Sequence, residues 1–550
     1  MSRRRRDFLK TIGGLACAAL PSRAFPDLGT APSAGTSPPD ICGGNGVSTP
    51  LFIPGMRGLF GRLTPGGAPL AMRAAAVDGG GPWTQGFHVE HRGVRYVNPT
   101  LVLQRGEPVR IALANALQQP TSVHWHGLAV ATRNDGSMIP PVEPGKGYDV
   151  AFDVRDRGSL YWYHPHPHGF TAGQVHAGMF GLIEIEDDDE RALRGALDLT
   201  PGRSEIALLL QDRRSAGYAP NDNDRMHGWF GDHVLVNGAV CPHLDVATRI
   251  YRFRVLNASN ARTYLLGFRR ADGKSMPFTL IGTDGGLLAA PRRCEQAFLA
   301  SAERIDVLVD LSDEAIGDSV VLETRAFDPM HMESPMDAAP AAVDHAAMGH
   351  AMPPPAAAGS TPPAVDHAAM GHGGAFPEGA PKGLLQLRVR ERIAYVAAVP
   401  ARLSTIGPVA VSQAAERPLR LGFAKGRWRI NDRVFAMGET PIAVQRNTVE
   451  TWLIRNYFNS MPHAMHLHGF HFQVVRRETS PAQVAALKVD EAGRLATDLG
   501  WKDTVLVWPG ESVRIAIDFT LPFAGEQKYV FHCHNLEHED GGMMVGVKVT

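Results

Sequence analysis

Apolar residues recur along this chain in short runs, among them VRIALAN (109–115), YDVAFDV (148–154), FGLIEIE (180–186), EIALLLQD (205–212), IDVLVDL (305–311) and VRIAIDF (513–519). Stretches containing Gly, Pro, Asn and Asp separate them, and helical spacing of apolar positions is scarce. The pattern predicts an all-β protein built of sandwiches. A chain of 550 residues outgrows a single core and suits about three domains, with expected limits 48–190, 200–398 and 415–550.

One segment departs from that pattern. Residues 329–382 are rich in Ala, Pro, Gly, Met and His and contain AVDHAAMGH twice, at 342–350 and 364–372. Such a composition does not bury enough surface to fold alone, so the segment reads as a disordered insert in the second domain. Its Met330, Met332, His345, Met348, His350, His367, Met370 and His372 are thioether and imidazole donors, the soft set that selects Cu(I). The plainer reading is a linker lengthened by duplication, yet Met and His recur together in both copies.

The N-terminus reads as an address. Arg5-Arg6-Asp7-Phe8-Leu9-Lys10 fits a twin-arginine export signal, followed by a short apolar stretch, 11–20, and by Ser22-Arg23-Ala24, with cleavage expected after Ala24. That stretch is far short of the ~20 residues that span a bilayer. The expected mature protein is exported, periplasmic in a bacterium with two membranes, without a membrane anchor, and monomeric. Apolar residues make up 44% and charged residues 20%, and the formal net charge is −1, so no attraction to nucleic acid or anionic lipid is indicated and partners are expected to be small. Setting aside Cys17 in the signal and Cys533, discussed next, one disulfide is open among Cys42, Cys241 and Cys294.

The richest chemistry lies in HCHNLEHEDGGM (532–543). Cys533, His538 and Met543 are the donors of a His₂Cys electron-transfer copper with a weak axial Met, once one further imidazole is supplied. In an extended strand Cys533 faces one way while His532 and His534 face the other, so one tripeptide can join two metal centres. With 23 His in 550 residues, chance gives roughly one HxH pair. The chain has His124/His126, His164/His166, His166/His168, His466/His468 and His532/His534, and His463 stands three residues ahead of the fourth pair.

These clusters, in this order and spacing, resemble the multicopper oxidases, the superfamily of laccases and bilirubin oxidases, with the nearest likeness to bacterial copper-efflux oxidases and periplasmic laccases. HGWFGDHVLVNG (227–238), VLNASNARTY (255–264) and AERIDVLVD (302–310) also look like connecting segments of that family. The resemblance implies three cupredoxin-like Greek-key β-sandwich domains and four copper ions, with the trinuclear group at the interface of the first and last domains. It assigns a type 1 copper to His463, Cys533, His538 and axial Met543, and a type 2 copper to His124 and His466. The type 3 pair falls to His126, His164, His166, His468, His532 and His534. Water formation from O2 consumes protons, and the resemblance gives Asp135 and Glu539 as proton-relay acids. A turn role for Asp135, in NDG, and a ligand-orienting role for Glu539 are the alternatives. Met461 is a candidate Cu(I) contact or a packing residue, and His168 reads as a spare. Asn459 stands where some copper-efflux relatives have an acid, a departure at their substrate-copper site.

Three functions follow. The first is a cuprous oxidase in copper tolerance, oxidising Cu(I) at the expense of O2. The second is a laccase acting on phenols and aryl amines through the same relay. The third is a non-enzymatic copper store, which a complete ligand set with a Cys533 bridge argues against.

Overall fold

The computed structural model describes residues 48–78, 81–331, 376–411 and 414–550. The described residues form six sheets that pair along the sequence, with only short helices between them. A six-stranded sheet and a five-stranded sheet enclose the first core, which includes Phe87, Ile111, Trp125, Tyr163 and Ile183. A seven-stranded and a six-stranded sheet enclose the second, around Phe253, Leu280, Val307 and Leu387. Two five-stranded sheets enclose the third, around Leu419, Trp452, Ile515 and Phe531. The all-β sandwich architecture is therefore the observed one. Each large apolar side chain so buried contributes about 1.5–3 kcal/mol.

The six apolar runs all lie in strands, Pro108–Asn115, Gly147–Asp153, Gly181–Glu186, Glu205–Arg213, Arg304–Asp310 and Ser512–Asp518. Pro108–Asn115 alternates exposed and buried side chains without a break, as a sheet with one wet face requires. Gly181–Glu186 is buried almost throughout because both its faces are covered, Ile183 and Ile185 by the first core and Leu182 by a separate cluster with Trp162, Leu209 and Leu256. Residues 376–381 lead into the strand Lys382–Glu391, with Phe376 packed into the second core.

Two strands place the histidines. His124–His126 is the edge strand of the first pair of sheets and is matched to Ser159–His164 with His124 opposite His164 and His126 opposite Trp162. His463–Leu467 runs between Gln527–Cys533 and Thr504–Val507 in the last sheet, with His466 opposite His532 and Met465 opposite Cys533. Both HxH pairs are followed by a glycine at positive φ, +87° at Gly127 and +74° at Gly469, where the chain turns away from the strand. A Cβ on Gly127 would also lie 2.6 Å from Asp503 Oδ2. Cys241 is disulfide-bonded, while Cys294 and Cys533 are free thiols.

Candidate metal centre

Alternation along His124–His126 puts both imidazoles on one face and Trp125 on the other, in the first core. The same rule separates the residues at 532–534. Cys533 packs into the third core with Met461, Met465 and Met543, while His532 and His534 join imidazoles from the first third of the chain. His124, His126, His164, His166, His466, His468, His532 and His534 are all buried in one cluster. Its groups that can share an ion include His126, His164 and His534, another set of His166, His468 and His532, and a third of His124, His126 and His466.

The outer nitrogens decide what the inner ones can do. His532 Nδ1 donates to the Cys533 carbonyl at 3.1 Å and His468 Nδ1 to Asp135 Oδ2 at 2.9 Å. Their Nε2 atoms therefore carry lone pairs, and these face each other across 3.1 Å. His164 Nδ1 donates to the Pro165 carbonyl at 2.8 Å and His126 Nε2 to Asp503 Oδ1 at 3.0 Å. The remaining nitrogens of that pair are 3.4 Å apart. The Nε2 atoms of His124, His466 and His534 are buried and have no hydrogen-bond partner among the described residues. Lone pairs turned on one another in a buried site repel unless a cation lies among them, so the cluster fits metal ions. Burial holds His126, His164, His166, His468, His532 and His534 well below the usual histidine range, and neighbouring imidazoles add to the effect. Neutral imidazole is the form that binds metal.

The second group is His463, Cys533 and His538. Cys533 Sγ lies 3.5 Å from His463 Nδ1 and 3.7 Å from His538 Nδ1, and Asn535 N donates to it at 3.4 Å. Met543 is held beside them by backbone bonds, its carbonyl accepting from Cys533 N at 3.1 Å and its amide donating to the His538 carbonyl at 2.8 Å. Burial pushes the Cys533 thiol up to about 12 and His463 down to about 3. A buried thiol of that kind ionises only when a cation takes its proton's place, and one thiolate with two imidazoles is the soft set that copper prefers. His538 Nε2 donates to the Met226 carbonyl at 2.9 Å, which also accepts Trp428 Nε1 at 2.8 Å. Trp428 packs against both imidazoles, with ring centroids 4.6 Å from His463 and 5.2 Å from His538.

Asp135 ends the short helix Thr132–Asp135 and is fully buried, its Oδ2 accepting from Ser137 Oγ as well as from His468. Glu539 lies in the helix Leu536–Asp540 with Oε1 3.5 Å from His166 Nε2 and Oε2 3.3 Å from His532 Nδ1. Neither Glu539 oxygen has a hydrogen-bond partner among the described residues. Burial, with Asp540 alongside, pushes its carboxyl well above the usual range.

His168 lies apart from the cluster, against Phe435. Met461 is buried in the third core beside Met543. Met330 and His331 belong to the described chain, with His331 bonded to Glu378 at 2.6 Å and stacked on His227 at 5.6 Å. The expected donors Met332, His345, Met348, His350, His367, Met370 and His372, like the expected signal at 1–24, lie outside the described residues. Asp503, Arg304, Ser301, Trp428 and Met226 also touch the two groups or their supports, and none was singled out by sequence reasoning. Each is an ordinary residue type in an ordinary setting until folding brings it to a ligand.

Family models described as multicopper oxidase match residues 92–190 and 411–550. The laccase of Bacillus subtilis (strain 168) is 30% identical over 480 residues, covering 78% of this chain and 80% of its own. The multicopper oxidase mco of Staphylococcus haemolyticus is 28% identical over 461 residues, covering 82% of each chain. Among solved structures, McoA multicopper oxidase from Aquifex aeolicus superimposes with a TM-score of 0.75 at 31% identity, covering 92% of this chain and all of that one. A buried thiol–imidazole group beside a buried imidazole cluster, on this architecture and with these relatives, makes the chain an oxidase of the multicopper oxidase family.

Proposed function

We propose that this protein is an exported cuprous oxidase that carries four copper ions. The observation that carries the copper reading is the pairing of imidazole lone pairs at 3.1 and 3.4 Å with no donor between them. In this reading His463, Cys533, His538 and Met543 hold the type 1 ion, His124 and His466 the type 2 ion, and His126, His164, His166, His468, His532 and His534 the type 3 pair. The three sheet pairs are the three domains, at 48–190, 200–398 and 415–550. When bound, copper supplies the one-electron steps that couple oxidation of a reducing substrate to the four-electron reduction of O2 to two waters.

The residues do the rest. Cys533 is one peptide bond from each of His532 and His534, so a covalent path of two residues joins the entry site to the cluster. Glu539, its carboxyl raised by burial and aimed between His166 and His532, is placed to give a proton to oxygen chemistry at the cluster, and Asp135 fixes the His468 ring from the opposite side. Neutral ligand rings with their outer nitrogens engaged are poor proton donors, which is why separate acids are required.

Cu(I) is favoured as substrate by where the insert leaves the fold. Met330 and His331 open it, and His331 stacks on His227, whose neighbour Met226 accepts from His538. His331 is also close enough to act electrostatically on both His463 and His538. A Met/His-rich segment that begins beside the entry site is placed to deliver copper there. Export through the twin-arginine machinery to the periplasm, and a monomeric state, complete the reading; among the described residues no helix is long and apolar enough to cross a membrane.

The second reading is a laccase, favoured by Trp428, an aromatic face against both His463 and His538. Oxygen uptake by the copper-loaded protein, with and without residues 332–375, separates the two. Uptake fastest with a stabilised Cu(I) complex and slowed by the deletion supports the cuprous oxidase. Brisk oxidation of a simple phenol, indifferent to the deletion, gives the laccase.

A further inference from the structure

Among the described residues the middle third of the chain supplies no imidazole to the cluster, yet it surrounds one residue that touches two of them. Asp503 is fully buried at the entry to Thr504–Val507. Its Oδ1 accepts from His126 Nε2 at 3.0 Å, and its backbone carbonyl accepts from His466 Nδ1 at 2.8 Å. Those two rings come from different ends of the chain and are stacked at 3.8 Å, and they engage Asp503 through opposite nitrogens. Asp503 thus leaves His126 with Nδ1, and His466 with Nε2, turned inward.

The carboxylate is itself held from the middle third. Arg304 donates Nη1 to Asp503 Oδ1 at 2.9 Å and Nη2 to Oδ2 at 2.6 Å, a two-pronged grip that fixes the plane of the carboxylate. Asp284 fixes the same corner, accepting from Arg304 N at 2.8 Å and from Asp503 N at 3.3 Å. Lys502, the preceding residue, lies 2.9 Å from Asp284 and 2.8 Å from Glu303. Gly127 is the first third's accommodation to this corner, since a Cβ there would lie 2.6 Å from Asp503 Oδ2 and 3.0 Å from Arg304 Nη2. All five charged groups are buried.

We infer that Asp503, clamped by Arg304 and Asp284, is a positioning residue that sets which nitrogen His126 and His466 present to the metal ions, and that this is how the middle third of the chain controls a centre to which its described residues contribute no ligand. The inference rests on the copper reading above. Asp503→Asn preserves size but turns an amide donor or a weaker carbonyl toward the His126 N–H, so the ring loses the acceptor that orients it.

The test titrates copper into copper-free Asp503→Asn and Arg304→Lys proteins against a competing chelator, counting bound copper and following the visible absorption of the Cys533–copper bond separately. The expected result is that copper affinity at the imidazole cluster falls about 10–100-fold in Asp503→Asn, less in Arg304→Lys, while the Cys533 absorption forms as in the unaltered protein. Affinity unchanged at both sites, or lost equally at both with a lowered unfolding midpoint, overturns it. If Asp503→Asn does not fold, Arg304→Lys decides by the same two readouts. Failure of the unaltered protein to bind copper at the cluster would instead defeat the copper reading on which the inference rests.

Discussion

Two regions of this molecule bury many polar and ionisable side chains, and they are built on opposite plans. In the middle third, Arg252 donates to Glu190 at 2.6 and 2.9 Å and to Asp306 through its Nε at 2.9 Å. Arg254 lies 3.3 Å from Glu205, and Arg194 meets Glu205 at 2.9 Å. Cations and carboxylates alternate there, and donors face acceptors. In the imidazole cluster eight rings converge, most with lone pairs inward, and Glu539 adds a carboxyl with no hydrogen-bond partner among the described residues. The first region pairs nearly all of its donors from within, Arg254 Nε, 3.6 Å from Asp306, being the exception. The second is complete only with cations and protons brought from outside. Burial and polarity do not distinguish a structural network from a reactive site, whereas the direction in which donors and acceptors point does.

The largest effect expected from breaking this contrast is at Glu539. Glu539→Gln keeps the shape and removes the transferable proton. It should slow oxygen reduction by about 10²–10⁴-fold with copper content and unfolding midpoint unchanged. Steady-state oxygen uptake beside a copper count checks it, and uptake within a few-fold of the unaltered protein would reduce Glu539 to an orienting residue. Arg252→Met should do the reverse. Removing one partner of a buried ion pair costs about 3–5 kcal/mol, because Glu190 and Asp306 stay behind. Chemical denaturation should register that loss while the Cys533 absorption and copper count stay as before; loss of copper instead would show that the two regions are coupled.

Much of this was legible before folding, for unequal reasons. The strands were readable because sheets with one wet face force alternation, as at 108–115, and sheets covered on both faces force apolar runs, as at 181–186. The imidazole set was readable because HxH is rare by chance and because a strand must turn Cys533 away from both neighbours. Asp503 and Arg304 were not readable. They stand 199 residues apart, and each follows another charged residue, Glu303 or Lys502, where a strand begins, which in isolation reads as an exposed strand end. Met226 was beyond reach for a different reason. It acts on His538 and Trp428 through its backbone carbonyl, which every residue possesses, so its side-chain identity holds no trace of the role.

The smallest expected effect is the most selective for the paired region. Burial alone would raise the Glu205 carboxyl, but Arg252, Arg194 and Arg254 together hold it down to about 2. An unfolded glutamate titrates near 4.3, so the folded chain binds this proton less readily than the unfolded chain does. The stability Glu205 contributes is then fully present above that unfolded value and is lost as pH falls through about 2. Glu205→Gln should lower the unfolding midpoint at pH 6, and the gap to the unaltered protein should close as the pH is taken down through this window. Glu539 would not share this behaviour, because burial shifts its carboxyl upward and not downward. A gap that stayed constant from pH 6 downward would mean that Glu205 acts through packing and not through its charge, and that the self-completed network is held by shape more than by the alternation of its signs.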